Sequence, residues 1–182
     1  MITKITLTNY RAFRSFSLEC NDALNIIVGD NEAGKSTILE AIYLALTKKL
    51  NGRFLDAELS PYLFNKECVD EYVGAVRDGG NPLPPKVVVE LCLKDTDPSI
   101  QHFRGTNNLD AADCTGVGVE IAFDDDYRDE YKALLERTRK DFQTVPTEYY
   151  KVSWYTFAFG PLTPRSIPIR ASYIDATAIR LQ

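Results

Sequence analysis

Apolar and polar residues alternate at the start of the chain, with Ile5 and Leu7 in a first run and Phe16, Leu18 and Cys20 in a second. Alternation with a period of two residues is typical of strands that bury one face. The pattern therefore predicts two β-strands before any other element, with a turn between them.

A short apolar run and then a helical pattern follow these strands. Residues Leu24, Ile26, Ile27 and Val28 predict a short, buried strand. The apolar positions after residue 34 recur at helical spacing as far as Lys48-Lys49, and they are Ile38, Ala41, Ile42, Ala45 and Leu46. This spacing predicts an amphipathic helix soon after the strand.

The rest of the chain predicts two further helices and four further strands. The helices are expected at about Lys66 to Val76, after Ser60-Pro61, and at about Tyr127 to Phe142. The strands are expected at Lys86 to Lys94, Val117 to Phe123, Tyr149 to Phe159 and Ile169 to Ile174. Because these strands alternate rather than being apolar throughout, they predict an antiparallel sheet that is open on one face. The fold class is α/β.

Residues 29–37 read Gly-Asp-Asn-Glu-Ala-Gly-Lys-Ser-Thr, between the predicted strand and the predicted helix. The glycines let the backbone curl so that successive N–H groups point at phosphate oxygens. Lys35 supplies a positive charge for the β- and γ-phosphates, and the Ser36 hydroxyl is placed to bind Mg²⁺. The helix adds the partial positive charge of its N-terminus. This P-loop pattern predicts binding of a nucleoside triphosphate.

A coincidental motif, a GTPase and a kinase are each less well supported. A chance match in a chain of this length has a probability of roughly 1%, and the flanking strand and helix reduce it further. A GTPase would need an Asn-Lys-x-Asp guanine reader, whereas residues 65–68 read Asn-Lys-Glu-Cys. A P-loop kinase stays open as a minor alternative, which phosphoryl transfer to a small acceptor would reveal.

Composition describes a globular chain. It has 182 residues, 45% of them hydrophobic and 26% charged, and it is expected to be one domain. No apolar run has the ~20 residues of a membrane span and no signal peptide is recognised, so a cytoplasmic location without membrane contact is expected. The net charge of −5 predicts that any contact with DNA is local or is made by another part of the protein.

Four cysteines and one histidine, His102, are too dispersed in sequence to predict a zinc site. The cysteines are expected to be reduced, buried thiols. His102 is expected to be a surface or packing residue rather than a catalyst.

The opening Ile5-x-Leu7-x-Asn9-Tyr10-Arg11-x-Phe13, followed by the P-loop, resembles the N-terminal lobe of ABC-type ATPases of the SMC/RecF/OLD group. The stretches that look most like OLD-family ATP-dependent endonucleases are residues 60–65, Ser-Pro-Tyr-Leu-Phe-Asn, the strand entry at Pro84-Pro85, and Phe123-Asp124-Asp125 with Glu130-Tyr131. The resemblance covers essentially the whole chain, residues 1–182, but only the first part of such a protein. It implies a P-loop NTPase lobe with a mixed sheet and an antiparallel β-subdomain.

The resemblance also implies a set of site residues, with ATP and Mg²⁺ as cofactors. The phosphate- and magnesium-binding residues would be Gly29, Asn31, Glu32, Ala33, Gly34, Lys35, Ser36 and Thr37. Arg11 would lie near the nucleotide. Ser36 would bind Mg²⁺, and Gln182 would be the magnesium-contacting glutamine, with Gln143 and Gln101 as weaker candidates.

The chain lacks two motifs that ABC-type hydrolysis needs, so its catalytic residues are unknown. No Ser-Gly pair occurs, which excludes the signature motif. The acidic candidate at Asp124-Asp125 follows a strand interrupted by Glu120, so it is interpreted as an acidic turn. The pair Asp95 and Asp97 is interpreted as a loop rather than a nuclease centre, because Pro98 follows directly.

Three functions therefore stay open. The first is the ATP-binding lobe of an OLD-like nuclease, in which ATP state gates DNA cleavage in defence against phage. The second is the lobe of a RecF- or SMC-like repair ATPase. The third is a non-hydrolysing, nucleotide-dependent interaction module. For the first two, the expected partners are the C-terminal portion of the same ATPase or a homologous protein, a second copy in a homodimer, and DNA. A Toprim nuclease domain is expected for the OLD-like nuclease only.

Overall fold

Six antiparallel strands form one sheet in the computed structural model, which describes residues 1–30, 33–164 and 166–173. The strand order is β2-β1-β5-β7-β6, and β8 also pairs with β7. The strands are β1 (Ile2–Tyr10), β2 (Phe13–Glu19), β5 (Val87–Leu93), β6 (Arg104–Gly105), β7 (Cys114–Phe123) and β8 (Tyr150–Thr156). A separate two-stranded hairpin consists of β3 (Lys49–Leu50) and β4 (Arg53–Phe54). The predicted antiparallel sheet is confirmed.

Three α-helices accompany the sheet: α1 (Lys35–Thr47), α2 (Lys66–Arg77) and α3 (Arg128–Thr138). Helix α1 packs on β5 and β7 through its buried residues Ile38, Ala41, Leu44, Ala45 and Leu46. The indole Nε1 of Trp154 on β8 donates a hydrogen bond of 2.8 Å to the Ala45 carbonyl. Helix α1 is thereby fixed against the sheet from its middle to its C-terminal end. None of the helices that the structure describes has the length and apolarity needed to cross a membrane.

The helix α2 is joined to the β1–β2 hairpin through Asn65. The side-chain oxygen of Asn65 caps α2 by accepting from the Cys68 N–H at 3.3 Å, and the side-chain amide nitrogen of Asn65 donates to the Arg11 carbonyl at 2.9 Å. The Asn65 N–H donates to the Asn9 carbonyl at 2.8 Å. One buried asparagine therefore holds both the helix start and the hairpin turn.

The segment 24–28 does not form the buried strand that its apolar run predicts. It lies outside the sheet, and the side chains of Leu24, Ile26 and Val28 are 75%, 74% and 83% exposed. A fully apolar strand needs neighbours on both faces, and no described strand supplies them. All sheet pairings among the described residues are antiparallel, so the mixed sheet of the prediction is not formed by them.

Two more expectations differ from the structure. Residues 169–173 are not a strand, and Ile174 lies outside the described residues. Strand β5 is buried on both faces, including Val88 and Glu90, although the pattern predicted one open face. The reason is segment 105–113, which crosses the second face: the Leu109 N–H bonds the Glu90 carboxylate at 2.9 Å, and Asp110 pairs with Lys4 at 2.6 Å.

Candidate functional site

The P-loop lies between the exposed segment 24–28 and the start of α1. The Ala33 N–H donates to the Asp30 carbonyl at 3.2 Å, which closes a turn inside the loop. The predicted residues Asn31 and Glu32 lie outside the described residues, as does Gln182. The structure thus places Gly29, Ala33, Gly34, Lys35, Ser36 and Thr37 together at one end of α1.

Gly34 fills a position that excludes a side chain for two reasons. Its φ of 84° is in the left-handed region, where a Cβ is unfavourable. A Cβ on Gly34 would also lie 2.5 Å from Cζ of Phe13. The ring of Phe13 on β2 therefore packs directly against the turn that leads from the loop into the helix.

The N-terminus of α1 is open to an anion. Its capping residue Gly34 has no side chain to accept from the helix N–H groups, and the first turn has no acidic residue. The first hydrogen bond of the helix runs from the Ile38 N–H to the Gly34 carbonyl at 3.0 Å. The N–H groups of Lys35, Ser36 and Thr37 therefore have no intrahelical acceptor, and they supply the positive end of the helix dipole.

The Lys35 amine lies inside the loop. Its Nζ donates to the carbonyls of Gly29 and Asp30, both at 2.6 Å. These contacts hold the Lys35 ammonium group near the N-terminus of α1. Its charge adds to the positive potential of the N–H groups there that have no intrahelical acceptor. The Lys35 amine and the N-terminal N–H groups of α1, called the cradle below, together have the charge and the donors that suit a phosphate group.

The Arg11 backbone is fixed in a strained conformation at the β1–β2 turn. Its φ of 48° is left-handed, which is uncommon for a residue with a long side chain. The Arg11 N–H donates to the Leu63 carbonyl at 3.0 Å, and its carbonyl accepts from Asn65. Strain of this kind persists where surrounding contacts over-determine it.

The Arg11 side chain forms a bidentate ion pair with Glu40 on α1, at 2.6 and 3.1 Å. The Tyr10 hydroxyl donates to the same carboxylate. Burial raises the pKa of Tyr10, and the Glu40 charge raises it further, so the phenol stays protonated. This cluster links the hairpin turn to the second turn of α1, immediately after the P-loop.

An apolar groove runs beside the P-loop. It has a volume of about 340 Å³ and lies between β2, segment 24–28 and the start of α1. Its lining includes Phe16 and Leu18 of β2, Ile26 and Val28 of the segment, and Ile38 of α1. The unpaired apolar segment therefore forms one wall of a groove that adjoins the phosphate cradle.

The acidic candidates have structural roles, as interpreted from the sequence. Asp124 accepts from the Asp126 N–H at 3.4 Å and pairs with Lys151 at 2.8 Å. Asp97 caps a short 3₁₀ helix through the Ser99 N–H at 2.8 Å. Within the described residues, no group of three or more His, Cys, Asp or Glu side chains is arranged to hold a metal ion.

The two weaker glutamine candidates are separated in the fold. Gln143 lines a cavity of about 540 Å³ together with Arg11 and Tyr62, whereas Gln101 is exposed on the 3₁₀ helix 98–103.

Sequence reasoning missed the contributions of Glu40 and Phe13. No local signal marks Glu40, because its role depends on the hairpin turn packing against α1.

Comparison with known proteins identifies related sequences. Residues 1–148 match the family described as AAA ATPase domain. A protein named DNA replication and repair protein RecF from Clostridium beijerinckii is 32% identical over 100 residues, covering 55% of this chain and 26% of that protein. Proteins of the same name from Lachnoclostridium phytofermentans and Bacillus mycoides are 37% and 40% identical over 59 and 58 residues. Each of these two matches covers 32% of this chain and 16% of the relative, so the chain spans about a quarter of these relatives or less.

Proposed function

Because the chain belongs to the AAA ATPase domain family, we propose that it is the ATP- and Mg²⁺-binding lobe of a DNA-associated ATPase of the SMC/RecF group. The observation that carries this proposal is the cradle formed by the Lys35 amine and the uncapped N-terminus of α1. The RecF relatives support the DNA-associated class.

The described residues fit a nucleotide with its metal. Lys35 and the N–H groups of the first turn of α1 would hold the phosphates, and Gly29 and Gly34 keep the loop close to them. Mg²⁺ would neutralise charge on the phosphates, and the Ser36 hydroxyl in the first turn of α1 would hold it. Arg11, fixed beside α1 by Glu40, would contribute a further positive charge near the site.

The RecF-like function is favoured over the OLD-like nuclease. Each relative described above carries the name RecF, whereas the nuclease assignment depends on the resemblance of short stretches at residues 60–65, 84–85, 123–125 and 130–131. The resemblance to OLD-family proteins implies a nuclease centre in a Toprim domain, outside the residues that the structure describes. Gating of DNA cleavage in phage defence would require a domain outside these residues.

The proposed lobe is completed by the remaining ATPase portion or by a homologous protein, and it functions as a dimer. The exposed segment 24–28 supports this, because its apolar side chains lie beside the P-loop with no strand partner among the described residues. Burying a side chain of this size stabilises a protein by about 1.5–3 kcal/mol. Hydrolysis would then depend on residues that the completing portion supplies.

Calorimetric titration of ATP with Mg²⁺ tests the proposal. We expect Lys35→Ala to weaken binding at least about tenfold, because each charge-assisted hydrogen bond contributes about 1.5–3 kcal/mol. Lys132→Ala on α3 is the matched control, because that lysine is exposed and remote from the cradle. Phosphate release is followed in the same samples.

Each outcome of this titration has a definite meaning. Binding that depends on Lys35, without steady turnover, supports an incomplete ATPase lobe. Equal affinity in wild type and Lys35→Ala would contradict the proposed site. Steady turnover by the wild-type chain would mean that a catalytic carboxylate lies within it, and would contradict the dependence on a completing portion.

A further inference from the structure

Two cysteines that are distant in sequence meet on the face of the sheet opposite α1. Cys92 on β5 and Cys114 at the start of β7 have their Sγ atoms 3.2 Å apart. Both side chains are half-buried, and neither is in a disulfide. We propose that Cys92 and Cys114 form an oxidation-sensitive dithiol site that closes into a cross-strand disulfide.

The strand register explains why these thiols meet. Cys92 lies opposite Gly116 in the antiparallel pair of β5 and β7, so Cys114 is its diagonal neighbour on the same face. Gly116 has no side chain, and the Phe157 ring fills the space above it, with Cε2 only 2.1 Å from where a Cβ would lie. The Cys114 thiol therefore lies beside the Cys92 thiol, while the Phe157 ring occupies the neighbouring space over Gly116.

The two thiols have different neighbours, and this difference gives them different roles in the oxidation. Burial raises the pKa of the Cys92 thiol and favours its protonated form. The amide of Asn108 lies 3.9 Å from the Cys114 Sγ and can donate to it. Cys114 is thus the thiol that reacts first with an oxidant, and Cys92 is the thiol that resolves the product.

The oxidant required is a hydroperoxide. The Cys114 thiol loses its proton, the resulting thiolate attacks one peroxide oxygen, and the O–O bond breaks to give a sulfenic acid. The departing oxygen takes up the proton that the thiol released and leaves as water or an alcohol. The Cys92 sulfur then attacks the Cys114 sulfur, the S–O bond breaks, and the Cys92 proton leaves with the hydroxide as water. The product is a disulfide, and a dithiol reductant reverses the reaction.

The disulfide would close the loop that contains segment 105–113, the segment that covers Glu90. Cross-linking a loop of this length restricts the unfolded chain. We expect the oxidised protein to melt about 5–10 °C above the reduced protein. Oxidation would therefore hold segment 105–113 more firmly against the face of the sheet that contains Glu90.

Peptide mapping of the wild-type chain after treatment with hydrogen peroxide and thiol blocking provides the test. We expect a linked peptide pair containing Cys92 and Cys114, which dithiothreitol removes, while Cys20 and Cys68 stay free. Cys20→Ser and Cys68→Ser are matched controls that should keep the linkage. In Cys92→Ser, a dimedone adduct should accumulate on Cys114.

The mapping does not depend on any variant being folded. Equal oxidation of all four cysteines, linkage between chains, or absence of the linked pair would overturn the proposal. A linked pair without the rise in melting temperature would contradict the proposal that the disulfide restrains segment 105–113. Nucleotide titration is independent of these results, so failure here is distinguishable from failure of the proposed function.

Discussion

Gly34 is the residue at which backbone conformation and packing both require the absence of a side chain. Its left-handed φ and the nearby Phe13 ring act together, whereas Gly52 in the β3–β4 hairpin has a φ of 80° and nothing within 4 Å of where a Cβ would lie. Gly52 therefore isolates the conformational effect from the steric one.

We expect Gly34→Ala to lower the free energy of unfolding by more than Gly52→Ala does. The left-handed backbone costs about 1 kcal/mol in both variants, and displacement of Phe13 adds about 1–3 kcal/mol in the first. Urea unfolding measures the difference, and calorimetry should show weaker ATP binding only for Gly34→Ala. Equal destabilisation would mean that Phe13 moves away freely.

Glu90 is a buried carboxylate that the proposed ATP site does not use. It accepts from the Tyr155 hydroxyl at 2.9 Å and from the Leu109 N–H at 2.9 Å. Burial raises its pKa, and these hydrogen bonds only partly offset that effect. The ionised form is therefore less favourable in the folded chain than in the unfolded chain.

The sign of the pH effect follows from this raised pKa. Above about pH 4.3, the unfolded carboxyl loses its proton first, so the folded state binds more protons and stability falls as pH rises through the folded pKa. At neutral pH we expect Glu90→Gln to raise the free energy of unfolding by ~1 kcal/mol, because a neutral amide oxygen can keep both bonds. Thermal unfolding between pH 4 and pH 8 measures this.

Glu120→Gln is the matched control for Glu90. Glu120 lies on β7, is partly exposed and pairs with Lys86 at 2.8 Å, so its replacement should leave most of the pH dependence in place. A Glu90→Gln variant with the wild-type pH dependence would show that Glu90 is not the group responsible.

At the scale of elements, α2 and the β1–β2 hairpin are coupled through Asn65. Helix caps contribute about 0.5–2 kcal/mol, and loss of the Asn65 amide would also leave the Arg11 carbonyl without its side-chain donor. The position of Arg11 beside α1 therefore depends on a residue more than fifty positions away in sequence.

We expect Asn65→Ala to lower the free energy of unfolding by about 2–3 kcal/mol, because a cap and a second hydrogen bond are lost together. Asp97→Ala is the control, since Asp97 caps only the short 3₁₀ helix and bonds no second element through its side chain. Urea unfolding compares the two variants. A loss in Asn65→Ala no larger than in Asp97→Ala would contradict the coupling.

At the scale of the whole molecule, segment 24–28 is the surface at which we propose that the lobe would meet its completing portion. Exposed apolar side chains in a row beside a functional loop are a typical sign of an interaction surface. In the chain alone these side chains contribute little to stability, because they are exposed.

We expect Ile26→Ser to change the melting temperature of this chain by less than about 2 °C. The same substitution should clearly destabilise a protein in which the chain is joined to the remaining ATPase portion, because Ile26 would be buried there. Ile38→Ser, at a position only 4% exposed, should destabilise both. Equal and small effects of Ile26→Ser in both proteins would contradict the proposed surface.

The sequence by itself determined the helix α1, the hairpin that precedes it and the glycine-rich loop between them. The helix α1, the hairpin before it and the P-loop follow from spacing, glycine placement and the chemistry of Lys35 and Ser36, all of which are local in the chain. The sequence pattern placed the start of α2 after Ser60-Pro61, whereas the residue that caps the helix is Asn65.

Only the tertiary structure decided which residues meet across the fold. The ion pair of Arg11 with Glu40, the contact of Phe13 with Gly34, and the adjacent thiols of Cys92 and Cys114 each join residues from different elements. The apolar run 24–28 predicted a buried strand, but burial depends on neighbours that a local pattern does not specify. Pairing and burial are properties of the assembled sheet, whereas turn and helix formation are properties of the nearby chain.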